Sequence, residues 1–243
     1  MHIYAEQRFL DNHIRNISES LEIEIISSRP NQESYLAYNS TGLSFIKDAA
    51  NPKEFLYVDF LKGKLGWRIK RAEHESNLKK AIGKTKKELN IFDATAGFLS
   101  DSMIFLSLGH KVMAVEQSKI IFYLVEDAIK RAQSKIPFLK NLSFLNGNSL
   151  DIFRYSKESF DAIYLDPMYP KTKKNVKGSG DMRSIRSILK LENILNEEND
   201  LCDAFMQCEY QKIILKRPLK YKKIYSNINY QVKGKTTRFD IFI

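Results

Sequence analysis

From residue 91 onward, short apolar runs alternate with stretches of helical periodicity, and this alternation restricts the possible folds more than any other feature. Strands are predicted at five runs: IFDATAG (91–97), KVMAVE (111–116), LSFLNG (142–147), FDAIYLD (160–166) and KIILKRP (212–218). Between the first two, DSMIFLSL (101–108) suits a helix that stops at Gly109. Strands that alternate with helices form a doubly wound, mostly parallel α/β sheet.

Two further segments extend this sheet. After the second strand, Ser118 is placed to cap a helix, and one apolar face follows a 3.6-residue period through Ile121, Leu124, Val125, Ala128, Ile129 and Ala132. The run YQVKGKTTRFDIFI (230–243) predicts a strand pair that turns near Gly234. This pair would add an antiparallel edge at the C-terminal end of the sheet.

The pattern before residue 91 is different. Short β-like runs occur at LEIEII (21–26), SYLAYN (34–39) and FLYVDF (55–60), and residues 72–89 are predicted to be helical and basic. We therefore predict a smaller α+β lobe at residues 1–85 and the α/β domain at residues 86–243.

Charge is distributed unevenly along the chain. The net charge is +10, yet three blocks at 62–90, 171–190 and 209–243 together carry +20, so the remainder carries −10. Separate basic blocks of this kind are typical of proteins that bind a polyanion, most often nucleic acid. Three solvated basic faces are the alternative explanation. The first block makes the N-terminal lobe a candidate for RNA contacts.

Several classes of protein are disfavoured. The two cysteines, Cys202 and Cys208, have no histidine nearby, which argues against a disulfide framework and a zinc site. The N-terminal residues lack the pattern of a signal peptide, and no apolar run is long enough to cross a membrane. We expect a soluble cytoplasmic protein without a metal.

Polar or small residues follow four of the predicted strands. In such sheets ligands bind beyond the carboxyl ends of the strands. Asp93 and Gly97 belong to the first turn, which is either a site of close backbone approach to a ligand or an ordinary turn. Glu116 could accept hydrogen bonds from ribose hydroxyls, and Asn148-Ser149 either contact an adenine or form a turn. No G-x-G-x-x-G fingerprint supports a dinucleotide site.

The fourth strand ends in Asp166-Pro167-Met168-Tyr169. This turn is similar to the Asn/Asp-Pro-Pro-Tyr/Phe motif of methyltransferases that modify exocyclic amino groups. Such an amine is a weak nucleophile because its lone pair is delocalised into the base. The carboxylate of Asp166 and the carbonyl of Pro167 could accept its two hydrogens, while Tyr169 stacks on the base.

The ordered motifs resemble the bacterial ribosomal RNA small subunit methyltransferase J family. They are FDATAG, VMAVE, YLDPMYP, SGDMRSIRSIL, ILKRP and KGKTTRFDIFI, together with the upstream segment 58–83. The resemblance covers roughly residues 56–243. It implies a Rossmann-like class I fold, S-adenosylmethionine as the methyl donor, and transfer to the N2 amino group of a guanosine in 16S rRNA.

The resemblance also implies roles for particular residues. Cofactor contacts are implied at Ser100, Asp101, Glu116, Gln117, Asn148, Ser149 and Asp166. RNA contacts are implied at Lys171, Lys173, Lys174, Lys177, Arg183, Arg186, Lys216 and Arg217. The family usually has Gly-Leu-Gly-Arg-Asp where this chain has residues 97–101 (GFLSD), and arginine is common at the position of Gln117.

Two alternatives remain open from the sequence. The Asp-Pro-x-Tyr turn does not by itself separate guanine N2 from adenine N6 as the methylated group. The altered loop at residues 97–101 is also compatible with a catalytically silent protein that binds RNA or assists ribosome assembly.

Overall fold

The chain forms two β-sheets, one from each part of the sequence. The computed structural model describes residues 1–83, 87–168, 180–194, 198–222 and 224–243. Within these ranges, no helix is long and apolar enough to cross a membrane.

The N-terminal sheet has the order β2-β1-β3-β4-β5. Its strands are β1 (Ile3–Ala5), β2 (Ile25–Ile26), β3 (Tyr35–Asn39), β4 (Gly42–Ile46) and β5 (Phe55–Leu56). Three α-helices belong to the same part of the sequence, α1 (Asn12–Leu21), α2 (Gly63–Lys70) and α3 (Ser76–Ile82), and α3 packs against the second sheet. The β-like runs are thus shorter than predicted. In particular, Leu21 ends a helix, which the Asp11 side chain caps by accepting from the Ile14 N–H at 2.9 Å.

The second sheet has seven strands in the order β11-β12-β10-β9-β6-β7-β8. They are β6 (Asn90–Asp93), β7 (Lys111–Glu116), β8 (Leu142–Asn146), β9 (Ala162–Leu165), β10 (Ile213–Pro218), β11 (Tyr230–Lys233) and β12 (Thr237–Phe242). The five strands from β10 to β8 are parallel, and β12 pairs antiparallel with both β10 and β11. The predicted doubly wound sheet with an antiparallel C-terminal edge is confirmed.

Helices cover both faces of this sheet. They are α4 (Ser102–Ser107), α5 (Lys119–Ala132), α6 (Ser149–Tyr155), α7 (Gly180–Leu191) and α8 (Glu198–Met206). Successive residues of a strand belong to different apolar clusters. In β6, Ile91 belongs to one cluster and Phe92 to the other, and in β9 Tyr164 joins Ile91 while Ile163 joins Phe92. Burial on both faces explains why these strands read as continuous apolar runs.

The predicted helix boundaries around the first two parallel strands hold. Ser118 caps α5 by accepting from the Ile121 N–H at 3.1 Å. Two residues after α4, Gly109 adopts a φ of +90°, a conformation that suits glycine. These local signals position the two loops that lie beside the site described below.

The two sheets share one apolar core. Leu43 and Phe45 of the first sheet belong to the same buried cluster as Val112 of the second sheet and Ile121 of α5. A buried carboxylate adds a polar link, since Asp127 of α5 accepts the Leu43 N–H at 3.1 Å. The predicted domain boundary, between residues 85 and 86, falls outside the described residues and stays a prediction.

Candidate active site

A cavity of about 1110 Å³ lies at the carboxyl edge of the parallel strands. This volume is slightly larger than that of most small-molecule sites. The turns after β6, β7, β8 and β9 form its walls, and α7 and α8 contribute the rest. All nine residues predicted to bind the cofactor line it: Asp93, Gly97, Ser100, Asp101, Glu116, Gln117, Asn148, Ser149 and Asp166.

The cavity is acidic. Six of its lining residues carry a carboxyl group: Asp93, Asp101, Glu116, Asp166, Glu192 and Asp200. No lysine or arginine lines it within the described ranges. Such a wall favours a cationic or hydroxyl-rich ligand over a pyrophosphate.

Asp93 ends β6 and organises the first turn. Its buried carboxylate accepts hydrogen bonds from the Thr95 N–H at 3.0 Å and from the Ser102 hydroxyl. Burial raises the pKa of Asp93 to about 7, although these two hydrogen bonds oppose the shift. The turn is therefore held by an acid that is partly protonated near neutral pH.

The backbone of the altered loop takes an uncommon form. Leu99 has a φ of +57°, in the left-handed region that side chains other than glycine seldom adopt. The family that this sequence resembles usually has its second glycine at this position. The Leu99 side chain is fully buried in the main apolar cluster, and that burial offsets the backbone strain. The loop backbone thus adopts at Leu99 a conformation that glycine favours, although the residue is leucine.

Glu116 ends β7 and closes the loop from the other side. Its two carboxylate oxygens accept the N–H groups of Gly97 and Ser118, each at 2.8 Å. Burial raises the pKa of Glu116 to about 7 against these hydrogen bonds. A carboxylate has about four acceptor positions, so both oxygens retain capacity for hydroxyl donors.

Asn148 has a structural role as well as a place in the cavity wall. Its side-chain oxygen caps α6 by accepting from the N–H groups of Leu150 at 2.9 Å and Asp151 at 3.2 Å. The structure therefore supports the turn interpretation of Asn148, while both Asn148 and the buried Ser149 still face the ligand space.

Asp101 is the centre of an ionic network that the sequence does not reveal. Its carboxylate accepts from Arg68 at 2.6 Å, from Lys216 at 2.7 Å and from the Tyr164 hydroxyl. Burial alone would raise the pKa of Asp101, but the two cations lower it to about 2. Asp101 is therefore ionised throughout the physiological pH range.

The same lysine reaches the carboxylate of the Asp-Pro turn. Lys216 Nζ lies 2.7 Å from Asp166 Oδ2, and the Asp166 N–H donates to Thr95 Oγ1 at 2.7 Å. Burial and the charge of Asp101 raise the pKa of Asp166, and Lys216 opposes that rise. Asp166 is thus fixed by one contact from β10 and another from the first turn.

Four of these contact residues were missed by sequence reasoning: Arg68, Thr95, Ser102 and Tyr164. Arg68 and Asp101 are 33 positions apart, and Tyr164 and Asp101 are 63 apart. No local motif marks such pairs. All four lie in segments that the sequence had singled out, but the segments did not indicate which of their side chains reach the site.

The predicted RNA contacts have different outcomes. Lys216 lies in the second half of β10, and its ammonium group binds the carboxylates of Asp101 and Asp166. Arg217 is only 1% exposed and its guanidinium lies 4.9 Å from the Tyr221 ring centre, and its contact with RNA stays a prediction. Arg183 lies on α7 with Glu54 at 3.8 Å, and Arg186 is half-buried on the same helix. Tyr169, Lys171, Lys173, Lys174 and Lys177 lie outside the described residues.

One further acid joins α7 to the site. The Glu192 carboxylate follows α7 and accepts from the Ser118 hydroxyl and from the Ile120 N–H at 3.1 Å. The contact ties α7 to the first turn of α5, where the helix dipole favours an anion. Glu192 therefore closes one end of the cavity.

Comparisons with known proteins agree with this geometry. A family model described as putative SAM-dependent methyltransferase matches residues 17–243. Ribosomal RNA small subunit methyltransferase J of Francisella philomiragia is 32% identical over 238 residues, which cover 95% of each chain. The protein of the same name from Desulfotalea psychrophila is 29% identical and covers 94% of this chain and 90% of its own.

A solved structure supports the fold. A SAM-dependent methyltransferase from Neisseria gonorrhoeae superposes with a TM-score of 0.67 at 23% identity. The match covers 100% of this chain and 96% of the other. At this identity the likeness shows the shared fold of the two chains.

Proposed function

Because the chain belongs to the ribosomal RNA small subunit methyltransferase J family of SAM-dependent methyltransferases, we propose that it methylates small-subunit rRNA at the N2 amino group of a guanosine. The observation that carries the proposal is the acidic cavity in which Asp166 is fixed by Lys216 at the carboxyl edge of the sheet. A ribosomal substrate would place the reaction in the cytoplasm.

The residues of the cavity fit S-adenosylmethionine. This cofactor contains an adenosine and a sulfonium cation. When bound, it supplies the electrophilic methyl group of the sulfonium. Buried carboxylates suit the cation, and Glu116 at the end of the second parallel strand suits the ribose hydroxyls. The small residues Ala94, Ala96 and Gly97 let the backbone approach the ligand closely. Ile121 and Leu150 provide apolar walls for an adenine ring.

Asp166 and Pro167 orient the amine in this proposal. The Asp166 carboxylate and the Pro167 carbonyl accept the two N–H groups of the guanine N2 amine and direct its lone pair into the cavity. Lys216 opposes the rise in the pKa of Asp166 and so favours the ionised form, which accepts a hydrogen bond. Because alignment and fixed charges do this work, no strong base is required.

Two other functions remain as alternatives. Methylation of adenine N6 would use the same Asp-Pro turn, so the described geometry does not separate it from guanine N2. A silent RNA-binding protein would not need a cavity lined by all the predicted cofactor residues. The relatives' names favour rRNA as the substrate.

The direct test uses purified protein, isotopically labelled S-adenosylmethionine, and either 16S rRNA or small ribosomal subunits from a strain that lacks this enzyme. We expect labelled N2-methylguanosine after nuclease digestion and mass analysis. Labelled N6-methyladenosine would support the adenine alternative. Cofactor binding without transfer to any RNA would support the silent protein.

Asp166→Asn provides the first mutational prediction. The amide keeps the size of the side chain but loses the negative charge that accepts the amine hydrogen. We expect the transfer rate to fall about 100- to 1000-fold. Asp151→Asn, on the exposed part of α6, is the matched control and should retain full activity. A fully active Asp166→Asn enzyme would exclude Asp166 from the mechanism.

A further inference from the structure

Helix α2 presents an exposed aromatic side chain among basic residues. Trp67 is the only tryptophan of the sequence, and 63% of its surface is exposed to solvent. A single exposed apolar side chain is common and is no argument for binding, so the proposal depends on the charged residues around this one. Resting on the proposed function, we propose that this surface binds a single-stranded segment of the RNA substrate by stacking an unpaired base on Trp67.

The surrounding charges favour RNA as the occupant. Four exposed cations lie on or next to the helix: Lys62, Lys64, Lys70 and Arg71. None of the four forms an ion pair with a carboxylate of the described residues. The nearby exposed acid Glu73 is paired with His74 at 3.1 Å. Cations that are not neutralised by the protein are suited to phosphate groups.

Helical spacing places the ring and the cations together. Lys64 and Trp67 follow an i, i+3 spacing and so share one face of the helix, while Arg71 directly follows its last residue. The Arg71 guanidinium already lies 5.0 Å from the centre of the Trp67 ring. Arg71 thus covers part of the ring, and the 63% of the side chain that stays exposed is the surface on which an unpaired base could stack.

The opposite side of α2 holds the helix rigidly. Gly66 is buried, and a Cβ atom at this position would lie 2.6 Å from the carbonyl carbon of Leu61. Ile69 is also buried in the main apolar cluster. The tryptophan is therefore carried by a fixed element, which reduces the entropy lost when RNA binds.

The same helix contacts the cavity. Arg68 follows Trp67 directly, and its guanidinium binds the Ser100 carbonyl at 3.0 Å and the Asp101 carboxylate at 2.6 Å. Both partners line the cavity. A segment stacked on Trp67 would thus be held at a constant position relative to the site of methyl transfer.

Fluorescence of the single tryptophan gives a direct test. A single-stranded RNA of about 10 nucleotides is titrated into the cofactor-loaded protein. Stacking should quench Trp67, whereas a duplex of the same sequence, whose bases are already paired, should quench it much less. Unchanged fluorescence when the protein is saturated with the single strand would overturn the proposal.

Variants extend the test to affinity. With fluorescently labelled RNA, Trp67→Ala should bind roughly tenfold more weakly or worse, and Trp67→Phe should retain part of the affinity. The matched control is Tyr155→Ala, which removes an aromatic residue that is 86% exposed at the far end of α6. Equal RNA affinities for Trp67→Ala and Tyr155→Ala, with normal melting curves, would also overturn the proposal.

Salt dependence tests the cations. Lys64→Gln and Lys70→Gln should each reduce the slope of log affinity against log salt by about 0.7, while Lys157→Gln should leave it unchanged.

Rejection of this surface would differ from failure of the methyltransferase assignment. In the former case wild-type protein and Trp67→Ala would methylate rRNA with equal KM, whereas in the latter the wild type would methylate no RNA. A higher KM for RNA in Trp67→Ala, with unchanged cofactor affinity, supports the proposal.

Discussion

At the scale of single residues, Lys216 controls the charge of two neighbouring carboxylates. Its ammonium group lies 2.7 Å from both Asp101 and Asp166. Lys216→Met removes one cation that stabilises the ionised forms of both acids. Burial and the repulsion between the two carboxylates would then disfavour ionisation more strongly. We expect the pKa of Asp166 to rise further, so that the acid limb of the rate profile moves to higher pH.

The control for this prediction lies at the other end of the same strand. Lys212 precedes β10 and donates to the Ile82 carbonyl at 2.7 Å, far from any carboxylate of the cavity. Lys212→Met should leave the rate profile in place, although it can lower stability. The assignment of Lys216 fails if both variants have the wild-type profile.

Glu116 gives a prediction for stability without cofactor. Its pKa in the folded protein is about 7, against 4.5 as its ordinary value. The folded state therefore binds this proton more tightly than the unfolded state does. The resulting stabilisation is fully present below pH 4.5 and is lost as the pH rises through about 7, with an upper value on the order of 3 kcal/mol.

Glu116→Gln should remove this contribution because glutamine does not titrate. We expect the loss of stability between pH 5 and pH 7.5 to be smaller in Glu116→Gln than in the wild type, as measured by urea unfolding. Glu126→Gln, an acid on the outer part of α5, should keep the wild-type difference. An unchanged difference in Glu116→Gln would contradict the raised pKa.

The sequence revealed the residues that end strands but not the contacts between distant ones. Asp93, Glu116 and Asp166 were predictable because each follows an apolar run, and parallel strands bring such ends to one edge. The pairing of Lys216 with Asp101 was not predictable because 115 positions separate the two residues. The same holds for the burial of Arg217, since the strand pattern does not show what covers the end of β10.

At the scale of elements, the C-terminal end of α7 is joined to α5 by polar contacts and to the main apolar cluster by buried side chains. Glu192 binds the first turn of α5 through Ser118 and Ile120, and Leu189 packs against the main apolar cluster. Glu192→Ala would leave the Ile120 N–H without this acceptor. We expect faster hydrogen exchange in residues 180–191 and weaker cofactor binding, with about 1 kcal/mol lost in global stability.

Mass spectrometry of amide exchange measures this effect element by element. Glu126→Ala is the control, because Glu126 lies on α5 and forms an ion pair with the exposed Lys130 at 3.7 Å. This variant should leave exchange in α7 unchanged. Exchange in α7 that is equal in Glu192→Ala and wild type would show that apolar packing alone holds the helix.

The elements themselves were predicted unevenly. The parallel strands and α5 were found from sequence because their apolar periods and caps are local. Helices α1 and α2 were missed, since α1 runs directly into a β-like sequence and α2 is short, with three cations and two glycines. Their helical form depends on packing against the rest of the molecule, which overrides weak local preference.

At the scale of the whole molecule, the two sheets should unfold together. They share the main apolar cluster, and Asp127 links them through the Leu43 N–H while also binding Arg131 at 2.8 Å. Asp127→Ala would leave both partners without this carboxylate. We expect a loss of about 3 kcal/mol or more in the free energy of unfolding.

Two signals can follow this transition. Trp67 fluorescence reports the N-terminal part, and far-UV circular dichroism reports all helices and strands. In the wild type and in Asp127→Ala the two signals should have the same urea midpoint, which is lower in the variant. Glu126→Ala, one position earlier, should change neither. Separate midpoints in the wild type would mean that the lobes at 1–85 and 86–243 unfold independently.

The position of β10 in the sheet also has a consequence for protein synthesis. This strand lies between β9 and β12, and it carries Lys216, which follows Asp166 by 50 residues. At roughly 5 to 20 residues per second, a ribosome makes the two acids several seconds before their shared cation. Until then β9 lacks its neighbour on one side, and Asp166 lacks the ammonium group that contacts it. The capacity for methyl transfer therefore arises late in translation, after most of the sheet has already been made.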